Sequence, residues 1–187
     1  MDLSIQTLLS HLELAARIYA AIKLSIYGLG KIVGGQFYQN EIPEAVNSLP
    51  ISELSGFDLA WTFFGYSFGY ILFIGGTQLL GSIMLLFQRT KILGAAILIP
   101  VLLNIIVVDY FYEISTGAML SAISYLLAIS FVLVYNRDRV IEAVKSVLVK
   151  NEKTHPLKQK VTRVVIAFAF LVVLMFLENE MLTLVSR

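Results

Sequence analysis

Residues 61–87 contain no charged side chain, and residues 92–108 contain one strongly polar side chain, Asn104. The two runs are separated by Gln88, Arg89, Thr90 and Lys91. Each is close to the roughly 20 residues that an α-helix needs to cross the hydrocarbon core of a bilayer. Comparable runs at 15–35, 114–135 and 161–177 bring the predicted crossings to five. Ahead of them, residues 1–13 place Leu3, Leu8, Leu9 and Leu12 at helical spacing and are expected to lead straight into the first crossing. The first sixteen residues hold Asp2 and Glu13 but no Lys or Arg, unlike the basic start of a cleaved signal, so the first crossing is expected to be retained.

Polar positions inside the runs carry most of the information. The first crossing holds Arg17, Lys23 and Lys31. Arg17 is expected to snorkel to the headgroups, with Glu13 one turn away. Lys23 lies deeper, where a charge facing lipid would cost at least ~2.5 kcal/mol. At roughly 100° per residue, Lys23, Tyr27 and Lys31 share a sector that should face the bundle interior. Gly30 and Gly34 form a small-xxx-small pair for a neighbouring helix. In the second crossing, Gly65, Gly69 and Gly76 share one face, and Ser67, Gly75, Gln78 and Ser82 another, which predicts a central position. Pro100 interrupts the third crossing and frees a backbone carbonyl one turn earlier, with Asn104 one turn further on. Gly117, Ser121, Ser124 and Ala128 read as a packing seam on the fourth.

The connections set the orientation. Residues 36–60 carry Glu41, Glu44, Glu53 and Asp58 without Lys or Arg, and Ile51, Leu54 and Phe57 could form a short surface helix. Asp109, Tyr110, Tyr112 and Glu113 make a second acidic rim. Arg89 and Lys91 fall on the opposite side, together with the basic stretch 136–160. The positive-inside rule makes that side cytoplasmic, with the N-terminus inside and the C-terminus outside. Within the basic stretch, Val140, Ile141, Val144, Val147 and Leu148 line one face of a short helix expected to lie in the headgroup plane.

Composition agrees. Apolar residues make up 58% of the chain and charged residues 14%, and the mean hydropathy is +0.81. Such a surface needs lipid as its solvent. The predicted fold is all-α, an integral membrane helical bundle. It comprises a lead and four-helix core at 1–135, a basic loop at 136–160, and a fifth transmembrane helix with a short outer tail at 161–187. With no cysteine, the chain excludes disulfide exchange, Cys-ligated clusters and thioether-linked haem. His11 and His155 fall outside the predicted bundle core, so no intrinsic haem or metal site is expected. No phosphate loop, nucleophile elbow or nucleic-acid signature is present.

Tyr27, Gly28, Lys31, Gly35, Gln36 and Phe37, then Phe64, Gly65, Tyr66 and Ser67, then Gln78, Gly81, Arg89, Thr90, Leu93, Gly94, Pro100 and Asn104 resemble the DoxX-like membrane proteins. The resemblance covers roughly residues 15–135. It implies a small four-helix membrane bundle. It also implies relatives linked to thiosulfate or quinone oxidoreduction, to membrane oxidoreductase complexes against oxidative stress, or to receptor assembly. It supplies no catalytic residue. The related bundles that handle disulfides rely on cysteines, which this chain lacks.

Lys23, Tyr27, Lys31, Gln78, Asn104 and Asp109 form the candidate ligand site, a polar pocket in the outer half of the bundle. Lys31 and the amides could donate to a quinone-like head group or small anion, with Asp109 or Glu113 balancing the charge. The competing structural account pairs Lys31 with Asp109 or Glu113 and uses Gln78 and Asn104 to bridge helices or cap the freed carbonyl. Phe63, Phe64, Tyr66, Phe68 and Tyr70 read as interface anchors rather than a stacking wall. The expectation is a DoxX-like bacterial inner-membrane protein supporting respiratory or oxidative-stress redox chemistry. It would be an accessory subunit rather than a self-sufficient enzyme, with quinone as candidate ligand. Expected partners are the lipid bilayer and other proteins met through residues 136–160, with no nucleic acid. A membrane scaffold or assembly factor and a small-anion carrier are the alternatives.

Overall fold

The computed structural model describes residues 3–39, 41–148 and 157–185. Among them the chain is helical without strands: α1 (Leu3–Ile32), α2 (Glu44–Asn47), α3 (Gly56–Gly65), α4 (Phe68–Leu86), α5 (Lys91–Phe111), α6 (Thr116–Tyr135), α7 (Arg137–Val147) and α8 (Leu157–Val185). Four segments are long and apolar enough to cross a membrane: Phe68–Leu86, Lys91–Phe111, Thr116–Tyr135 and Gln159–Glu178. Their mean hydropathies run from 1.6 to 2.5, as in an integral membrane protein.

One unit, residues 1–144, contains a bundle of α1, α4, α5 and α6. Its α1 carries too many charges to count as a span on composition alone, yet it packs on both α4 and α6. It does so through the stripe Glu13, Arg17, Ala20, Ala21, Leu24, Gly28 and Lys31, all buried and spaced by one to four residues. Facing it are Leu85 of α4, Ala95, Leu98 and Leu102 of α5, and Ala122, Tyr125 and Ile129 of α6. The other unit, residues 145–187, contains α8, whose described side chains in 159–178 are all exposed.

The second predicted crossing is not one helix. It breaks at Tyr66 and Ser67, where the extended Ser67 accepts a hydrogen bond from the Tyr70 amide at 3.4 Å and caps α4. Ser55 and Ser115 cap α3 and α6 in the same way. The predicted surface helix dissolves accordingly. Ile51 sits exposed in a single 3₁₀ turn, while Phe57 belongs to α3 and stacks on Trp61 with ring centroids 4.1 Å apart.

Of the glycines expected at helix contacts, Gly75 packs on α1 and Gly65 on the Tyr38 backbone, while Gly30, Gly69 and Gly76 do not pack closely. A Cβ on Gly75 would lie 2.9 Å from the Gly28 carbonyl oxygen, and one on Gly94 would lie 2.7 Å from that of Gly81. These pairs set the α1–α4 and α4–α5 contacts. Gly30 and Gly76 have nothing within 4 Å of such a position, and Gly69 only the Ser67 hydroxyl. Gly34 lies past the end of α1 at φ +86, where it reverses the chain and lets the Gly35 amide donate to the Gly30 carbonyl at 2.8 Å. On α6 the packed face is Ala122, Tyr125, Ile129 and Val132, while Gly117 and Ser124 are exposed. Of the predicted stripe Ala128 packs against the core, and Ala122, Tyr125 and Ile129 make most of that seam.

In α7, Ile141, Val144 and Val147 are exposed and Val140 is half-buried, which keeps the predicted apolar face free within its helix. Lys150, Lys153 and His155 lie outside the described residues.

Candidate functional site

Between the ends of α1 and α4, α5 and α6 lies a cavity of about 430 Å³. Gln78 lies in its wall, near the middle of α4 and 1% exposed. Its Nε2 donates to the Leu24 carbonyl at 3.0 Å, which fixes the amide and places Leu24 level with it. Its Oε1 is thereby turned to accept from Lys31 Nζ at 3.1 Å. Lys31 is 8% exposed. It starts near the end of α1, where a lysine would ordinarily snorkel outward, yet its ammonium turns inward. One of its three N–H groups is used on Gln78, and the rest are available to the cavity.

Asp109 comes from the last turn of α5 and lines the same cavity. Its Oδ2 is buried and receives no hydrogen bond from the described residues. Lys31 and Asp109 do not form an ion pair within 4 Å, and Glu113 is exposed at the end of α5. Lys31 is thus held by Gln78 rather than closed onto a carboxylate, and Gln78 bridges α1 and α4 as the competing structural account expects of it.

Aromatic rings from the segment after α1 and from α3 and α4 build one part of the wall, and aliphatic side chains of α4, α5 and α6 another. After the turn at Gly34, Gln39 Nε2 donates to the Lys31 and Gln36 carbonyls, folding the segment back over the helix end. Phe37 is held there at φ 67, a left-handed conformation that bulky residues adopt at a cost of ~1–2 kcal/mol. This sets its ring 5.4 Å from Trp61 and 5.2 Å from Phe64. Tyr38 anchors the segment, its amide donating to the Trp61 carbonyl at 3.2 Å and its hydroxyl to Asp58 at 2.8 Å. Partial burial and then the Asp58 carboxylate push the Tyr38 phenol above the usual tyrosine range. Phe64 stacks parallel to Tyr70, and both line the cavity, whereas Phe63, Tyr66 and Phe68 are exposed. The predicted aromatic girdle thus divides into Phe64 and Tyr70, which line the cavity, and Phe63, Tyr66 and Phe68, which do not.

Of the sequence-predicted residues, the cavity brings together Tyr27, Lys31, Gln78, Asn104 and Asp109. Tyr27 packs on the buried Tyr125 with ring centroids 6.2 Å apart. Asn104 borders the cavity but is exposed and makes no hydrogen bond to the described residues, so it neither bridges helices nor caps a carbonyl. Lys23 is a correction. It is exposed and off the cavity, because Ala20, Ala21, Leu24 and Gly28 set the buried stripe of α1, and Lys23 falls roughly a quarter turn outside it.

A second polar cluster was not anticipated. Lys91 Nζ donates to Glu13 Oε1 at 2.8 Å, and Asn136 Nδ2 donates to the same oxygen at 3.1 Å. Arg17 Nε lies 3.7 Å from Glu13 Oε2, and its Nη1 donates to the Leu86 carbonyl at 3.1 Å. Glu13, Arg17 and Lys91 are each 3% exposed or less, so Arg17 does not snorkel. Glu13 and Arg17 at i, i+4, in register with Ala20, Ala21 and Leu24, were the available signal. Gln88, Lys91, Asn136 and Arg139 line a more open recess beside this cluster. Among the described residues no group of acidic or histidine side chains is arranged to hold a metal ion, and His11 is exposed on α1.

No protein-family model matches the chain, and no solved structure does. Over 98 residues, 52% of its length, the chain is 41% identical to a Bacillus subtilis (strain 168) protein described as "Uncharacterized protein YwoB". That match spans 60% of the relative's length.

Proposed function

We propose that this chain is a DoxX-like protein of the bacterial inner membrane, one that supports respiratory or oxidative-stress redox chemistry by holding a quinone-like or similar small ligand in the cavity. The observation that carries this reading is the inward-turned Lys31 ammonium, held by Gln78 in a chamber lined mostly by aliphatic and aromatic side chains. An intramembrane cation is costly, and one aimed into a cavity with donors to spare fits an oxygen-bearing ligand. Phe64 and Tyr70 offer flat apolar surface to a ring. Electron-carrying groups would belong to a partner, making the chain an accessory subunit. The basic residues Arg89, Lys91, Arg137 and Arg139 favour a cytoplasmic N-terminus.

The test is native mass spectrometry of the protein extracted into lipid nanodiscs, with organic extraction of whatever is bound. A stoichiometric quinone-type molecule that is lost in Lys31→Met supports the reading. An empty bundle that keeps a protein partner at fixed stoichiometry overturns it in favour of a scaffold or assembly factor.

A further inference from the structure

We propose that the cavity opens sideways into the bilayer between the ends of α4 and α5 that lie away from their connecting turn. Its occupant is an amphiphile whose oxygen-bearing head lies inside while its hydrocarbon chain runs out through that gap. This rests on the reading of the cavity as a ligand site and adds the route by which the site fills and the tail that its ligand carries.

Near the connecting turn the two helices touch. A Cβ on Gly94 would lie 2.6 Å from the Leu85 amide nitrogen, and one on Gly81 would lie 2.7 Å from Leu98 Cγ. Gly81, Leu85, Gly94 and Leu98 are all buried. Continued away from the turn at helical spacing, the same faces carry Thr77, Ile74 and Phe73 on α4 and Val101, Asn104 and Val108 on α5. All of these line the cavity, and burial is lost along them: Asn104 is exposed, Phe73 is 67% exposed, and the rest are half-buried. Both stretches lie inside segments apolar enough to span a membrane, so the mouth they frame faces hydrocarbon. The end toward α3 is built differently. There Phe37 meets both Trp61 and Phe64, beside the segment that Gln39 folds back over α1.

That placement selects the occupant. A ligand that enters through hydrocarbon is one that partitions into it. A cavity of about 430 Å³ holds a head group and the first part of a chain, and the rest of the chain stays in lipid. Inside, the Lys31 ammonium has N–H groups beyond the one given to Gln78. At the mouth, Asn104 offers an amide without a hydrogen bond to the described residues, and an amide facing lipid is costly until it finds a partner. An acceptor oxygen on the head, as in an ester, carbonyl or carboxyl, serves both. Asp109 lines the same cavity and balances the ammonium, so the head needs no charge of its own.

Trp61 is the chain's single tryptophan and lines the cavity, so a nitroxide that enters quenches its fluorescence. The full chain in phosphatidylcholine nanodiscs is titrated with methyl stearate carrying a nitroxide near its ester end. Quenching is expected to saturate and to be relieved by unlabelled methyl stearate, whereas a nitroxide diffusing in bulk lipid quenches without saturation or competition. Asn104→Phe and Thr77→Phe crowd the mouth from its two sides, and each should weaken the apparent affinity about tenfold. Leu103→Phe, exposed on α5 but off the cavity, should leave it unchanged. Quenching that does not saturate overturns the proposal, and this arm needs no variant. Saturable quenching that neither mouth variant weakens overturns it too, because the entrance then lies elsewhere. A co-extracted ligand that has no hydrocarbon chain and is lost in Lys31→Met would overturn the lateral route and leave the ligand site standing. An empty bundle whose quenching does not saturate would remove both.

Discussion

Glu13 Oε1 accepts from Lys91 Nζ at 2.8 Å across 78 residues of sequence, and both side chains are buried. With Asn136 on the same oxygen and Arg17 reaching the Leu86 carbonyl, one carboxylate organises α1, α4, α5 and the end of α6. Removing one partner of a buried pair leaves an uncompensated charge, and here two cations would lose it. Glu13→Gln is expected to lower stability by about 3–5 kcal/mol. Glu13→Gln combined with Lys91→Met should recover part of that loss, because it removes one stranded cation. Reversible denaturation in mixed micelles measures both. A single variant within about 1 kcal/mol of the parent would show that the cluster is not a structural anchor.

This cluster shows where sequence reading stopped. Lys91 and Arg17 looked like ordinary interfacial cations, since nothing local to either reveals that α5 starts beside the first turns of α1. Four of the predicted runs were legible because long, sparsely charged stretches have few alternatives in a polypeptide, whereas α1 carries Arg17, Lys23 and Lys31 and joins the bundle through its buried stripe. Five of the six candidate residues line one cavity, and they could be picked out because amides, charges and a tyrosine stand out in such runs. Lys23 was misplaced because the sector was drawn through the cations, whereas Ala20, Ala21 and Gly28 decide which face a neighbouring backbone can approach. The break at Ser67 was hidden by the unbroken hydrophobicity of residues 61–87, although a serine ahead of a helical run is a capping signal.

Close packing at glycine gives a paired prediction. A Cβ at Gly94 would sit 2.6 Å from the Leu85 amide nitrogen and 2.7 Å from the Gly81 oxygen, all backbone atoms that cannot rotate away. Gly94→Ala is expected to destabilise the bundle by about 1–3 kcal/mol by forcing α4 and α5 apart. Gly76→Ala meets nothing within 4 Å and should be neutral or stabilising by up to about 1 kcal/mol. Thermal unfolding of the two variants side by side checks the contrast. Equal behaviour would mean that the α4–α5 contact is looser than drawn.

Lys23 and Lys31 differ in role although both lie on α1. Lys23→Leu removes an exposed cation from the level of Gln78 and touches no cavity wall. It should leave the stoichiometry of any co-extracted cavity ligand unchanged and keep or raise stability, by up to ~2.5 kcal/mol. Lys31→Met should abolish binding while the bundle stays folded. Loss of binding in Lys23→Leu to the extent seen in Lys31→Met would return Lys23 to the site.

The segment over the cavity should be sensitive to alkali. Tyr38 donates to Asp58, and burial together with that carboxylate holds the phenol above its ordinary range. A group whose pKa is raised on folding contributes stability that is complete below its unfolded value, about 10 for tyrosine, and lost as pH rises through the folded value. The contribution of the Tyr38–Asp58 bond should therefore be constant at neutral pH and disappear above about pH 10. Tyr38→Phe is expected to cost about 1 kcal/mol near neutrality. It should also loosen the Phe37–Trp61 contact, shifting Trp61 emission to longer wavelength. At high pH the parent should approach the variant in both stability and emission. A difference between them that stays constant from pH 7 to pH 11 would mean that the bond to Asp58 does not hold the segment in place.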